Sequence, residues 1–177
     1  MHLPSALNHI AFQTDRLEET HYFYTKIMGL RFAGAVRRAP GQRTSDGSMM
    51  PDFLHTFYEM PSGECIAFFD VENTPRREND GWPLWTRHLA LSLDSIEAVD
   101  EYAVRLREHA IKVRGPINHD GVWYSIYFFD PSGVHLELTH QSCTLGQEQA
   151  QDAERLYSAW IHDRHSGRVT ENEIVES

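Results

Sequence analysis

The chain has 177 residues, of which 41% are hydrophobic and 24% charged, and its formal net charge is −10. That length holds one domain with a real core or two small fused modules, and the acidic balance excludes the basic face that nucleic acid or an anionic membrane would need. No apolar run approaches the ~18 residues of a membrane span. The opening stretch Met1-His2-Leu3-Pro4-Ser5 lacks the charged-then-apolar pattern of a signal peptide. The two cysteines, Cys65 and Cys143, have no metal-like spacing, so a reduced, cytoplasmic protein is expected.

Leu7 to Gln13 alternates, with Ile10 and Phe12 on one side and His9, Ala11 and Gln13 on the other. This predicts a strand with one core face. Asp15 with Glu18 reads as a capping box that opens a helix. Leu17, Tyr24, Ile27 and Met28 are its apolar positions, and Gly29 is its stop. Leu30 to Val36 reads as a strand, and Arg37 to Asp52 as a long polar loop. Phe53 to Glu59 and Glu64 to Asp70 read as two strands joined at Met60-Pro61-Ser62-Gly63. The charged stretch Glu72 to Pro83 reads as a linker.

The pattern then returns. Thr86 to Leu93 echoes Leu7 to Gln13, with His88 where His9 stood and Asp94 where Asp15 stood, each pair 79 positions apart. Glu97 again follows the predicted cap, and a helix to about Ala110 carries Ile96, Val99, Ala103 and Leu106 on one face. A strand is expected to begin at Ile111 to Val113, and His119 falls in a Gly-containing loop. Tyr124 to Phe129 and Val134 to Thr139 form a strand pair around Pro131-Ser132-Gly133, 70 positions after Pro61-Ser62-Gly63. The first copy therefore carries nine extra residues, which the loop at Arg37 to Asp52 can hold. Ala153, Leu156, Tyr157, Trp160 and Ile161 sit at helical spacing in the tail.

The chain thus reads as α+β, with two tandem βαβββ modules forming an open mixed β-barrel around a metal and a C-terminal helix. The expected boundaries are 1–75 and 86–142 for the modules, 76–85 for the linker and 143–177 for the tail. Side-by-side sheets let equivalent positions converge. His9 and His88 are equivalent, and Glu137 lies on the last strand of the second copy, where the first copy has Ala67. Two imidazoles and one carboxylate make a facial triad that leaves up to three adjacent positions open on an octahedral metal. His119 and Tyr127 would face whatever the metal holds. Trp82, Trp85 and Trp123 either wall an aromatic pocket or cap the core. His135 shares a face with Glu137 and could line the cavity or simply pack. His2, His21, His109, His140, His162 and His165 read as surface residues.

From Leu7 to Thr139 this arrangement resembles the vicinal oxygen chelate superfamily, which includes glyoxalase I, fosfomycin-resistance proteins and extradiol ring-cleaving dioxygenases. The stretch His119, Ile126-Tyr127, Asp130-Pro131-Ser132-Gly133 and Glu137 is similar to the extradiol signature. The resemblance implies His9, His88 and Glu137 as metal ligands, with Fe(II) first and Mn(II), Zn(II) or Ni(II) as alternatives. It implies that His119 and Tyr127 act catalytically on a small aromatic substrate and O2. Extradiol enzymes also place an acid–base His near the position of Glu64 or Cys65. Here Glu64, or His55 on the neighbouring strand, would substitute. The superfamily often dimerises, so a homodimer is expected, and the tail helix offers it an apolar face. Two other functions fit the same residues: a non-oxidative lyase, isomerase or thiol transferase, and a metal-free small-molecule binding or resistance protein.

Overall fold

The computed structural model describes residues 3–38, 41, 43–44, 46–74, 83, 86–144 and 146–165. Each half of the chain forms one four-stranded sheet. In the first, β1 (His9–Thr14), β2 (Arg31–Arg38), β3 (Phe53–Glu59) and β4 (Cys65–Val71) lie in the order β1-β4-β3-β2. In the second, β5 (Leu89–Ser92), β6 (Arg114–His119), β7 (Trp123–Phe129) and β8 (His135–Gln141) lie in the order β5-β8-β7-β6. The first strand of each module runs parallel to the last, and the other pairs are antiparallel. The repeat and the mixed sheets are as the sequence predicts. No ladder joins the two sheets among the described residues, so the expected barrel is corrected to two separate sheets.

The helices are α1 (Leu17–Tyr22), α2 (Ile96–Glu108) and α3 (Gln147–His165). Two predicted caps are corrected. The residue before α1 is Arg16, with no side-chain cap. The Thr14 hydroxyl instead accepts from Arg16 N at 3.0 Å, and the Thr20 hydroxyl donates to the Arg16 carbonyl at 2.8 Å. At α2 the cap is Ser95, not Asp94: its hydroxyl accepts from Ala98 N at 3.2 Å. After Tyr22 the helix widens into a π-helical turn, Phe23–Ile27, where Met28 N donates to the Phe23 carbonyl. Gly29 then ends it with φ 76°, a left-handed conformation that costs glycine nothing. His119 is corrected from loop to strand, since it closes β6 opposite Trp123.

One core serves both modules. Phe23, Tyr24, Tyr58, Ile66 and Phe68 of the first pack with Val99, Leu106, Ile126, Phe128 and Leu138 of the second. Ile96, predicted on that face, is exposed at the helix start. Strand alternation turns Ile66 and Phe68 into this core, and it turns Cys65, Ala67 and Phe69 to the opposite, open face. The second sheet divides likewise, with Leu136 and Leu138 inward and His135, Glu137 and Thr139 on the open face.

The modules are also pinned by buried polar groups. The Tyr24 hydroxyl donates to Asp130 at 2.9 Å, and Ser132 Oγ lies 2.8 Å from Thr20 and 2.9 Å from Thr14. Asp130 also accepts from Val134 N at 2.7 Å. The Asp130-Pro131-Ser132-Gly133 turn is therefore a joint to the first module, in which each named buried oxygen has a partner. Burial first, then the charge of Asp130, holds the Tyr24 phenol well above the usual tyrosine range.

α3 exposes Leu156, Tyr157 and Trp160. No described helix is long and apolar enough to cross a membrane. Trp82 and Trp85, with most of the predicted linker, lie outside the described residues.

Candidate metal centre

The open face of the second sheet gathers four of the predicted site residues into a chain of polar contacts. Glu137, on β8, is 7% exposed. Its Oε2 lies 2.8 Å from His88 Nε2, contributed by the residue just before β5. Register explains the meeting: Ala90 pairs with Glu137, so the residue two before Ala90 shares its face. Tyr127, directly across β7 from Glu137, donates its hydroxyl to Glu137 Oε1 at 3.1 Å. His119 Nε2 lies 2.9 Å from the Tyr127 hydroxyl. Because the Tyr127 proton is committed to Glu137, His119 must donate from Nε2. The relay therefore runs from His119 through Tyr127 to Glu137 and on to His88.

Burial, then the Glu137 charge, raises the Tyr127 phenol above its ordinary value. Tyr127 thus remains a proton donor at neutral pH. His135 closes this patch: its ring stacks on Phe129 at 4.7 Å and lies 5.8 Å from the rings of both His88 and Tyr127. Trp123 is exposed at the start of β7.

His9 lies elsewhere. It is exposed on the first sheet, with its Nδ1 2.7 Å from Asn8 and its ring 5.6 Å from Phe57 and 6.1 Å from His55. Among the described residues, no three His, Cys, Asp or Glu side chains lie together as a metal site within one chain. The physical reason is the shared core: both sheets turn their helix-covered faces to it, which leaves each open face on its far side. The chain unites two expected ligands, His88 and Glu137, and holds the third apart. For those two, the fit is chemical: an imidazole nitrogen and a carboxylate oxygen converge within hydrogen-bond distance, where a divalent cation could replace the shared proton.

Neither proposed acid–base substitute stands free for that work. His55 stacks on Phe69 at 3.6 Å and lies 4.2 Å from Phe57. Burial, then the neighbouring His9, lowers its pKa, and its Nε2 is buried without a hydrogen-bond partner among the described residues. Glu64 sits in the turn before β4, where a hydrogen bond from Ser62 lowers its pKa and makes it a weaker base. Ala67, the counterpart of Glu137, is wholly buried between Ala11 and Phe57 and offers no donor atom. Of the residues read as surface, His140 is half-buried, with Nδ1 3.1 Å from the Leu93 carbonyl.

Two tandem βαβββ modules, each with one mixed four-stranded sheet, define a two-module α+β class. Residues 6–138 match the family model of the Glyoxalase/Bleomycin resistance protein/Dioxygenase superfamily, and the chain belongs to that superfamily. Among solved structures, lactoylglutathione lyase from Agrobacterium tumefaciens is 25% identical over 77% of this chain and 94% of its own, with a TM-score of 0.53. The fosfomycin resistance protein FosX from Listeria monocytogenes is 21% identical over 83% of this chain and 98% of its own, with a TM-score of 0.54. A glyoxylase/bleomycin resistance protein/dioxygenase domain from Frankia sp. EAN1pec is 16% identical over 78% of this chain and 99% of its own, with a TM-score of 0.57. A search of the curated proteins finds no match.

Proposed function

We propose that the protein is a divalent-metal enzyme that opens a catechol-like ring with O2, using His9, His88 and Glu137 as ligands. The observation that carries this reading is the relay His119–Tyr127–Glu137–His88, with contacts of 2.9, 3.1 and 2.8 Å. It matches the order of residues in the extradiol signature. A metal bound there would polarise two neighbouring substrate oxygens, and Fe(II) would add redox chemistry with O2. With Glu137 engaged, the Tyr127 proton is released to a substrate oxygen beside the centre. His119 holds the Tyr127 oxygen in place and can replace the proton it gives up.

The third ligand comes from a second copy. The first sheet of one copy lies against the second sheet of its partner, which brings His9 to His88 and Glu137. Two-fold symmetry makes two such sites at once. The exposed Leu156, Tyr157 and Trp160 of α3 offer apolar surface to the same homodimer.

The test is metal analysis of freshly purified protein, followed by O2 uptake over a catechol panel after anaerobic Fe(II) loading. Stoichiometric metal and a yellow ring-opened product are expected. Iron-loaded protein that binds catechols without consuming O2 would sink the oxygenase reading. A second reading, non-oxidative metal catalysis, draws on the loss of His55 and Glu64 as free acid–base groups. A FosX mutant solved with Mn(II) and a dihydroxypropylphosphonic acid gives it a precedent on this fold. Turnover with Mn(II), Ni(II) or Zn(II) and no O2 uptake would favour it. Unchanged ligand binding by metal-free His9→Ala protein would favour a binding protein over both.

A further inference from the structure

The open face of the first sheet takes no part in the polar relay, yet it is not an ordinary solvent face. Register places His9, Phe57, His55, Phe69 and Phe53 on one side. Their rings form a continuous strip. Phe57 lies 5.6 Å from His9 and 4.2 Å from His55. His55 stacks on Phe69 at 3.6 Å with an interplanar angle of 17°, and Phe53 lies 5.4 Å from Phe69 edge-on. All four rings beyond His9 are half-exposed. A water-facing strand normally alternates to polar residues, so a contiguous aromatic run on the open face marks a contact surface. The imidazole within it is also spent as a flat ring, because its Nε2 is buried and has no hydrogen-bond partner among the described residues. That arrangement suits stacking and wastes a proton carrier.

We propose that this strip is the surface on which the substrate's ring lies, and that Phe57 and His55 select a flat aromatic ring over a puckered one. The inference rests on the reading of His9 as a metal ligand. Anything held at His9 by two neighbouring oxygens extends along the sheet over its nearest ring, Phe57, and then over His55. A planar ring meets these faces in offset-stacked or edge-to-face contact, whereas a saturated ring of the same size meets them with fewer atoms. The division of labour follows. The second sheet supplies proton donors and two ligands, and the first supplies one ligand and the wall that recognises the ring.

The test compares catechol with its saturated analogue, cyclohexanediol with neighbouring hydroxyls. Binding is measured by calorimetry on the full chain, zinc-loaded and metal-free, so that no turnover intervenes. The native protein is expected to bind catechol about tenfold more tightly than the saturated diol. Phe57→Leu and His55→Leu are expected to erase most of that preference while zinc affinity stays unchanged. Should Phe57→Leu fail to fold, Phe69→Leu carries the same expectation through loss of the His55 stack. Equal affinity of the native protein for the two rings, or an undiminished preference in the folded variants, overturns the proposal. Failure of zinc to bind, with the ring preference intact in metal-free protein, overturns the metal reading and leaves the aromatic wall standing.

Discussion

The two modules repeat one fold and use it in opposite ways. At the position where the second sheet carries Glu137, the first carries buried Ala67; where the second has His135, the first has Cys65. The turn after β7 is pinned by Tyr24, Thr14 and Thr20. Its counterpart after β3 has Met60 in place of Asp130 and an exposed Ser62 in place of Ser132. The elements facing that turn carry Leu93 and Ala103 where Thr14 and Tyr24 stand in the first module. A cavity of about 930 Å³, lined by Met60, Ser62, Leu93 and Tyr102 among others, opens on this side. Duplication supplies the frame, and buried polar side chains gather at the Asp130–Ser132 joint. The counterpart side is crossed instead by the half-buried Tyr102 hydroxyl, which donates to the Met28 carbonyl at 3.0 Å. A second buried polar joint would have carried a second desolvation cost for little added order.

The sharpest way to break the comparison is at Glu137. Glu137→Ala is expected to weaken metal binding more than about 100-fold by calorimetry, because even groups that only support a ligand are worth 10–100-fold. Retained affinity would show that the second sheet is not the metal-bearing one. Next is Tyr127→Phe, expected to lower kcat about 100-fold with metal content unchanged; an equal loss of metal would make Tyr127 a support of Glu137 alone.

The joints can be compared by stability. Asp130→Ala leaves the buried Tyr24 hydroxyl and Val134 N without their partner and is expected to cost about 3 kcal/mol in denaturant unfolding. Ser132→Ala should cost about 1–2 kcal/mol, and Ser62→Ala at the counterpart turn less than about 0.5 kcal/mol. Equal costs at the two turns would erase the asymmetry. The smallest effect is in pH. A tyrosine whose folded pKa is raised contributes stability that is fully present below the unfolded value of 10.0 and is lost as pH rises above it. Alkaline unfolding should therefore steepen above pH 10.0, and Tyr24→Phe should reduce that dependence.

Much of the frame was legible in the residues. Alternation placed β3 at Phe53–Glu59 exactly as found, while β1, β7 and β8 were displaced by a residue or two at their ends. The relay was also within reach, because Tyr127 and Glu137 are cross-strand neighbours once the Pro131-Ser132-Gly133 turn fixes the register. His119 was harder. Its neighbours Asp120 and Gly121 carry positive φ and look like a loop, although the strand runs up to His119 itself. The joint is not legible in the sequence. Thr14, Thr20 and Ser132 look like ordinary polar residues until helix and turn meet across more than a hundred positions.

By itself the sequence determined the repeat, the mixed sheets, the faces of the strands and the types of residue available as ligands, because periodicity and turn chemistry are local. Tertiary structure decided which of those residues meet. It joined His88 to Glu137, kept His9 on the other sheet, and laid His55 flat against Phe69. These outcomes depend on how two sheets share one core, and that packing is a property of the whole chain that no short window of residues contains.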